Sequence, residues 1–245
     1  MSRYLPFSDD DGEPYRVIVG GMPQAGSTLC YNLARLLVEA AGYGVLIHEQ
    51  ESTQVSILPG KNNKDKRMYG FSKQHDLPAD ARIYQIPAKE LEQYFTLFNV
   101  KRDLRDTVAS GFRKLENKNK FDIVQMCERN IQWHADWKKV CDYEWVYEAY
   151  KQDPLKIVNE MQAAFGFELP EVKLLRTIHR AESLKNLLNQ SAARDHTLWK
   201  IARMRSDQIT NNGIIGGYKD TLTSEQIELI ESRYGDWLKE HGYME

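Results

Sequence analysis

The stretch that most constrains this chain runs from residue 15 to residue 42. There a β-branched run meets a glycine turn and then a helical repeat. Tyr15-Arg16-Val17-Ile18-Val19 has the density of branched apolar residues expected of a short buried strand. It leads directly into Gly20-Gly21-Met22-Pro23-Gln24-Ala25-Gly26-Ser27-Thr28. Beyond the turn, Leu29, Leu33, Leu36, Leu37 and Ala40 recur at helical spacing and stop near Gly42. Strand, glycine loop and helix, in that order, predict a turn whose free backbone N–H groups meet at the start of a helix.

The rest of the chain repeats the alternation. Val45-Leu46-Ile47-His48 reads as a second strand, and residues 60–67 as a polar loop rich in cations (Lys61, Lys64, Lys66, Arg67). Met68 to Lys73 reads as another strand. Leu97-Phe98-Asn99-Val100 is a further strand, running into Lys101-Arg102-Asp103 and a helix from about Leu104 to Leu115. A long helix over 122–140 places Ile123, Met126, Cys127, Ile131 and Trp137 on or near one face, and Tyr143 to Tyr147 is a strand. Asp153 and Pro154 supply the cap and first turn of a helix to about Phe165. Thr223-Ser224-Glu225-Gln226 fits a capping box for a last helix ending at Gly242. Strands alternating with helices, without repeats or a break in composition, predict one α/β domain over 15–245 with a mainly parallel central sheet flanked by helices. Residues 1–14, with Asp9 to Asp11, Gly12 and Pro14, read as a flexible N-terminal arm.

Charge and cysteine content narrow the class. The 33 Lys+Arg against 35 Asp+Glu give a net charge of −2, which argues against wrapping nucleic acid while allowing a local basic site. The basic residues at 61–67 and 101–120 lack an aromatic stacking pattern, so no nucleic-acid partner is expected. Cys30, Cys127 and Cys141 form no CxxC pair, so neither a disulfide framework nor a zinc site is favoured. No carboxylate cluster has metal-ligand spacing, and no metal is expected. No apolar run reaches the ~20 residues of a membrane span, and the opening residues lack the pattern of a secretory signal. The expectation is a cytoplasmic protein with no membrane partner; nothing in the sequence fixes its oligomeric state.

Gly21-x-x-x-x-Gly26-Ser27-Thr28 has the spacing of a phosphate-binding P-loop, with Ser27 where nucleoside triphosphatases carry lysine. Glycines allow tight turns, and the N–H groups opening the following helix attract an anion. Ser27 and Thr28 add hydroxyl donors. The charge that reaches the outer phosphates of a triphosphate is missing, which favours a transferase with a different phosphate-bearing donor. Arg102 and Ser110, eight residues apart across a strand end and the next helix, form a second candidate anion site: a guanidinium fork and a hydroxyl.

These two motifs resemble those of the sulfotransferases that use 3′-phosphoadenosine-5′-phosphosulfate (PAPS). Met22-Pro23-Gln24-Ala25-Gly26-Ser27-Thr28-Leu29 looks like their 5′-phosphosulfate loop, usually Pro-Lys/Arg-Ser-Gly-Thr-Thr. Val100 to Phe112 is similar to their 3′-phosphate motif, with Arg102 and Ser110 at the family spacing. Tyr147-Glu148-Ala149-Tyr150, followed by Asp153-Pro154, resembles a segment whose tyrosine lies near the adenine; read alone, Tyr147 is equally a core tyrosine at a strand end. Asn212-Gly213-Ile214-Ile215-Gly216-Gly217-Tyr218-Lys219 resembles the late glycine segment around the 3′-phosphate, with Asn211-Asn212 replacing the usual Arg-Lys. That leaves backbone N–H groups, with Lys219, to contribute there.

The resemblance implies a P-loop kinase-like fold, PAPS as donor, adenosine 3′,5′-bisphosphate as product, and a histidine base. Ser72-Lys73-Gln74-His75-Asp76-Leu77-Pro78 looks like the family's Lys-Thr-His-Leu-Pro motif, with Asp76 inserted. It makes His75 the candidate base, with His48 in reserve, because imidazole titrates near neutrality. The family's loop cation is Gln24 here, uncharged, so Lys73 is expected to compensate. Mixed charge at 50–70, 112–122 and 185–210, the expected specificity loops, points to a polar small-molecule acceptor. Two other readings stand beside this one: a P-loop small-molecule or nucleotide kinase, and a non-catalytic nucleotide-binding module.

Overall fold

Six strands form one sheet in a computed structural model of the chain, which describes residues 15–48, 55–58, 68–73, 95–114, 122–190 and 213–245. The strands are β1 (Tyr15–Gly21), β2 (Gly44–His48), β3 (Val55–Leu58), β4 (Met68–Lys73), β5 (Phe95–Lys101) and β6 (Tyr143–Val146). Their order is β3-β2-β4-β1-β5-β6. Five are parallel, and β3 lies antiparallel on β2 at one edge. The expected α/β domain with a mainly parallel sheet is what the chain forms.

The described helices are α1 (Ser27–Ala41), α2 (Leu104–Lys114), α3 (Ile123–Lys138), α4 (Tyr147–Gln152), α5 (Pro154–Ala164), α6 (Glu171–Gln190) and α7 (Ser224–Glu240), with a 3₁₀ turn at Gly217–Asp220. Alternation along β1 explains how they share the sheet. Val17 and Val19 join the core cluster with Cys30, Leu33, Leu36 and Leu37 of α1. The intervening Ile18, on the opposite face by the two-residue period, is buried too. On that second face Gly20 receives Trp137 of α3, fully buried: a Cβ on Gly20 would lie 2.1 Å from the indole. A strand buried on both faces is what a parallel sheet between two helical layers requires. The caps follow the sequence as well. Asp153 accepts from Lys156 N ahead of α5, and Thr223 with Gln226 closes the capping box of α7.

Four details differ from the sequence reading. Val55–Leu58 is a strand inside what was expected to be a loop. Tyr147 opens α4 instead of ending β6, because the chain turns helical straight after Val146. Helix α6 carries on to Gln190, so the segment expected as a loop at 185–210 starts helical. Likewise α2 covers residues 112–114 and Asp122 caps α3, accepting from Gln125 N at 2.9 Å. The expected arm at 1–14 and the basic loop at 60–67 lie outside the described residues.

Candidate active site at the carboxyl edge of the sheet

Because β4, β1, β5 and β6 are adjacent and parallel, their carboxyl ends share one edge of the sheet. The glycine loop follows β1, Lys73 ends β4, Arg102 follows β5 and Tyr147 follows β6. Crevices outside the carboxyl ends of parallel strands are where open α/β sheets hold ligands. The sequence motifs therefore converge although they are spread over more than a hundred residues.

The loop itself is a tight turn. Met22 N donates to Val100 O at 3.1 Å, which ties the loop to β5. Gln24 has φ 64°, uncommon for a residue with a side chain, and Gly26 has φ 93°. Gly26 caps α1 with no side-chain hydrogen bond, and the first turn holds no acidic residue. The helix therefore opens with N–H donors and its positive dipole end toward the edge. Pro23, Ala25 and Gly26 shape the turn, Ser27 and Thr28 start the helix, and Leu29 continues it. Lys73 reaches across from β4, and its Nζ donates to Thr28 Oγ1 at 3.0 Å. The cation expected to replace the missing loop charge is thus at the loop. Gln24 leans the other way: its Oε1 accepts from Ser110 Oγ of α2 at 3.5 Å.

The second site is built around Arg102, which is buried. Its Nη2 donates to Ile214 O at 3.0 Å and lies 3.2 Å from Asp106 Oδ2. Its guanidinium stands 4.3 Å from the centre of the Tyr147 ring. Asp106, fully buried, also accepts from Gly216 N at 2.9 Å and Tyr218 N at 3.0 Å. One carboxylate thereby fixes both the arginine and the late glycine segment. Tyr147 completes the junction, its hydroxyl donating to Gly213 O at 2.8 Å. Burial pushes the Tyr147 phenol above its ordinary pKa, opposed by the Arg102 charge, so it stays a donor. Its ring packs so closely that a Cβ on Gly26 would meet it at 2.7 Å, and one on Gly213 would meet the hydroxyl at 1.8 Å. Tyr147 is thus both a buried tyrosine and the link between the loop, Arg102 and the glycine segment.

Lys73, Gln24, the loop residues, Arg102, Ser110, Tyr147 and Gly213 are all placed at this edge. His75 and Asn212 lie outside the described residues. Lys219 is exposed, with its ammonium 5.9 Å from the Tyr218 ring centre. Sequence reasoning did not single out Asp106. Its signal was present as an Arg–Asp pair four residues apart at a helix start, one turn on the same face. Glu148 was passed over too; it accepts from Asp103 N at 2.9 Å, and burial raises its pKa.

Comparison with known proteins bears on the family and the fold. The family model described as a sulfotransferase domain matches residues 14–242. Among solved structures, the chain is similar to mouse sulfotransferase SULT7A1 complexed with PAP: 14% identity, 96% of this chain and 87% of that one, TM-score 0.61. It is also similar to retinol dehydratase in complex with androsterone and the inactive cofactor PAP, at 16% identity over 91% of this chain and 80% of that one, TM-score 0.59. A second retinol dehydratase complex, with retinol and PAP, gives 15% identity, 93% and 82% coverage, and TM-score 0.57. At such identities the likeness to these structures is one of fold. No curated protein matches the chain by sequence.

Proposed function

The chain belongs to the sulfotransferase family, and from that membership we propose that it moves a sulfuryl group from PAPS to a hydroxyl or amine of a polar small molecule. The observation that carries the proposal is the convergence of two anion-ready sites at one sheet edge: Lys73 of β4 on Thr28 at the start of α1, and Arg102 stacked on Tyr147. Their chemistry fits a nucleotide with a phosphate at two positions of its ribose. Arg102 Nε is buried without a partner, an unspent donor of the kind an anion would satisfy.

When bound, PAPS supplies the sulfuryl group and a leaving group that already carries charge. The residues divide the remaining work. Loop N–H groups from Gly26 to Thr28, with the Ser27 and Thr28 hydroxyls, hold the 5′ end, while Leu29 N donates to Gly26 O at 2.9 Å and closes the first turn. Lys73 contributes the positive charge that Gln24 lacks, a charge-assisted bond being roughly twice as strong as a neutral one. Arg102, Ser110, Asn212 and Gly213 hold the ribose-borne phosphate, and the Tyr147 ring borders the adenine. His75 takes the proton from the acceptor. Among the described residues no cluster of His, Cys, Asp or Glu could hold a metal ion, and activity is expected to persist in excess chelator. A polar small-molecule acceptor is proposed because Glu51, Lys61, Lys64, Arg194, Asp195 and Lys200 lie in the expected specificity segments. No helix of the described residues is long and apolar enough to cross a membrane. All three cysteines are free thiols, which supports a reducing compartment, the cytoplasm.

Thermal shift with adenosine 3′,5′-bisphosphate, against ATP with Mg²⁺, tests the donor class. The proposal expects stabilisation by the bisphosphate, about 3 kcal/mol at a hundredfold excess over Kd. Stabilisation by ATP alone would favour the kinase reading, and response to neither would overturn the donor reading.

A further inference from the structure

Arg113 is used by nothing described so far, and its surroundings are unusual for a cation on an outer helix. It sits three residues beyond Ser110 on α2 and is half-buried. Its Nη1 donates to Thr221 Oγ1 and, at 3.5 Å, to Gly217 O. Its Nε and Nη2 are buried with no hydrogen-bond partner, and the same holds for Nε of Arg102. Burial lowers the pKa of Arg113 and the Arg102 charge lowers it further, while Asp106 and Asp220 act against this. The two arginines therefore sense each other's charge. Both also grip one short segment, Arg102 at Ile214 O and Arg113 at Gly217 O.

A guanidinium does not shed its proton under these conditions, so two of them with unspent buried donors call for an anion. Asp106 offers one negative charge, already shared among Arg102, Gly216 N and Tyr218 N, and Asp220, the other acidic neighbour of Arg113, is exposed to solvent. A phosphate monoester has the charge and the three acceptor oxygens to engage two guanidinium groups at once. We infer that Arg113 is a second arginine anchor, beside Arg102 and Ser110, for the ribose-borne phosphate of the donor nucleotide. The inference rests on the donor proposed above. It makes Arg113, rather than Lys219, the cation that makes up for Asn211-Asn212, and a residue that selects nucleotides bearing that phosphate.

Isothermal titration calorimetry on the full chain compares adenosine 3′,5′-bisphosphate with adenosine 5′-monophosphate for the wild type, Arg113→Ala, Arg113→Lys and Thr221→Val. The expected result is a loss of about 10- to 100-fold in bisphosphate affinity for Arg113→Ala, with monophosphate affinity within about twofold of wild type. Thr221→Val removes the hydroxyl that pins Arg113 but keeps the guanidinium, and should leave both affinities within about threefold. Arg113→Lys keeps the charge without the fork and carries the same comparison if the alanine variant does not fold; a smaller loss, confined to the bisphosphate, is expected. Unchanged bisphosphate affinity in Arg113→Ala would overturn the inference. So would equal losses for both nucleotides reproduced by Thr221→Val, since Arg113 would then be a structural pin. A wild type that does not prefer the bisphosphate over the monophosphate would instead overturn the donor reading itself.

Discussion

Replacing Asp106 with asparagine keeps the shape of a fully buried side chain at the centre of the second site and removes its charge. The native carboxylate serves three donors: Gly216 N and Arg102 Nη2 on Oδ2, and Tyr218 N on Oδ1. An asparagine has one acceptor oxygen and one donor nitrogen in that space, so at least one backbone N–H faces another donor in either orientation. That orphaned group costs roughly 1–3 kcal/mol. Arg102 also loses its counter-charge while buried, a change that costs about 3–5 kcal/mol when a partner is deleted outright. Its bond to Ile214 O and its stacking on Tyr147 offset part of that loss. Because the terms share one network they do not add, and a net destabilisation of about 3–4 kcal/mol is expected. For a chain of this size that lowers Tm by roughly 6–15 °C. Calorimetric melting is the assay, with Asp220→Asn as a control: Asp220 is exposed on the same turn, and its change should stay within about 2 °C. Bisphosphate affinity should fall with Asp106→Asn, because the glycine segment loses its anchor. A Tm within about 2 °C of wild type would refute the claim that Asp106 joins Arg102 to residues 213–218.

Other outcomes follow from the same geometry. Lys73→Ala should lower turnover by more than Gln24→Ala does, since Lys73 brings charge to Thr28 and Gln24 accepts from Ser110; equal, small effects would remove Lys73 from its role. His75→Ala should abolish turnover while leaving bisphosphate binding within about twofold, and unchanged turnover would exclude it as the base. Gly213→Ala drives a Cβ to 1.8 Å from the Tyr147 hydroxyl, whereas a Cβ on Gly216 meets nothing within 4 Å. Both have positive φ, so nucleotide affinity falling only for Gly213→Ala isolates the Tyr147 contact from backbone strain. Away from the site, the hydrogen bond from His134, with help from Lys101, holds the Glu144 carboxyl at about 2 against an ordinary 4.5. The folded protein thus binds that proton less readily than the unfolded chain. The resulting stability, roughly 3 kcal/mol at most, is complete above about pH 4.5 and is lost as pH falls toward 2. Urea melts of Glu144→Gln should show a shallower fall across that window, and a parallel fall would contradict the pairing.

The first βα unit was readable because two periods sit side by side: Val17-Ile18-Val19 at strand density, then leucines at helical spacing. Arg102 and Ser110 were readable as a candidate pair only together with the glycine loop upstream; alone, a strand end running into a helix within a dozen residues reads equally as a solvated helix start with charge pairs. The edge strand β3 was not. Val55-Ser56-Ile57-Leu58 is only four residues long and pairs on one side, so its local signal is weak. Helix α6 was missed for a related reason: Val172 and Leu175 are about half exposed, which blurs its apolar stripe. The roles of Asp106 and Arg113 depend on Gly216, Tyr218 and Thr221, more than a hundred residues away. Such contacts are set by tertiary packing, and short-range pattern holds no record of them. Gln24 likewise read as a missing charge on the loop, and only the fold shows it turned toward Ser110.

Radiolabelled transfer tests the central claim most directly. The chain is incubated with sulfur-labelled PAPS and a panel of polar hydroxyl and amine acceptors in excess chelator, beside γ-phosphate-labelled ATP with Mg²⁺. The account predicts label in an acceptor from PAPS, with release of adenosine 3′,5′-bisphosphate, and none from ATP. Phosphoryl transfer from ATP without any sulfuryl transfer would contradict it.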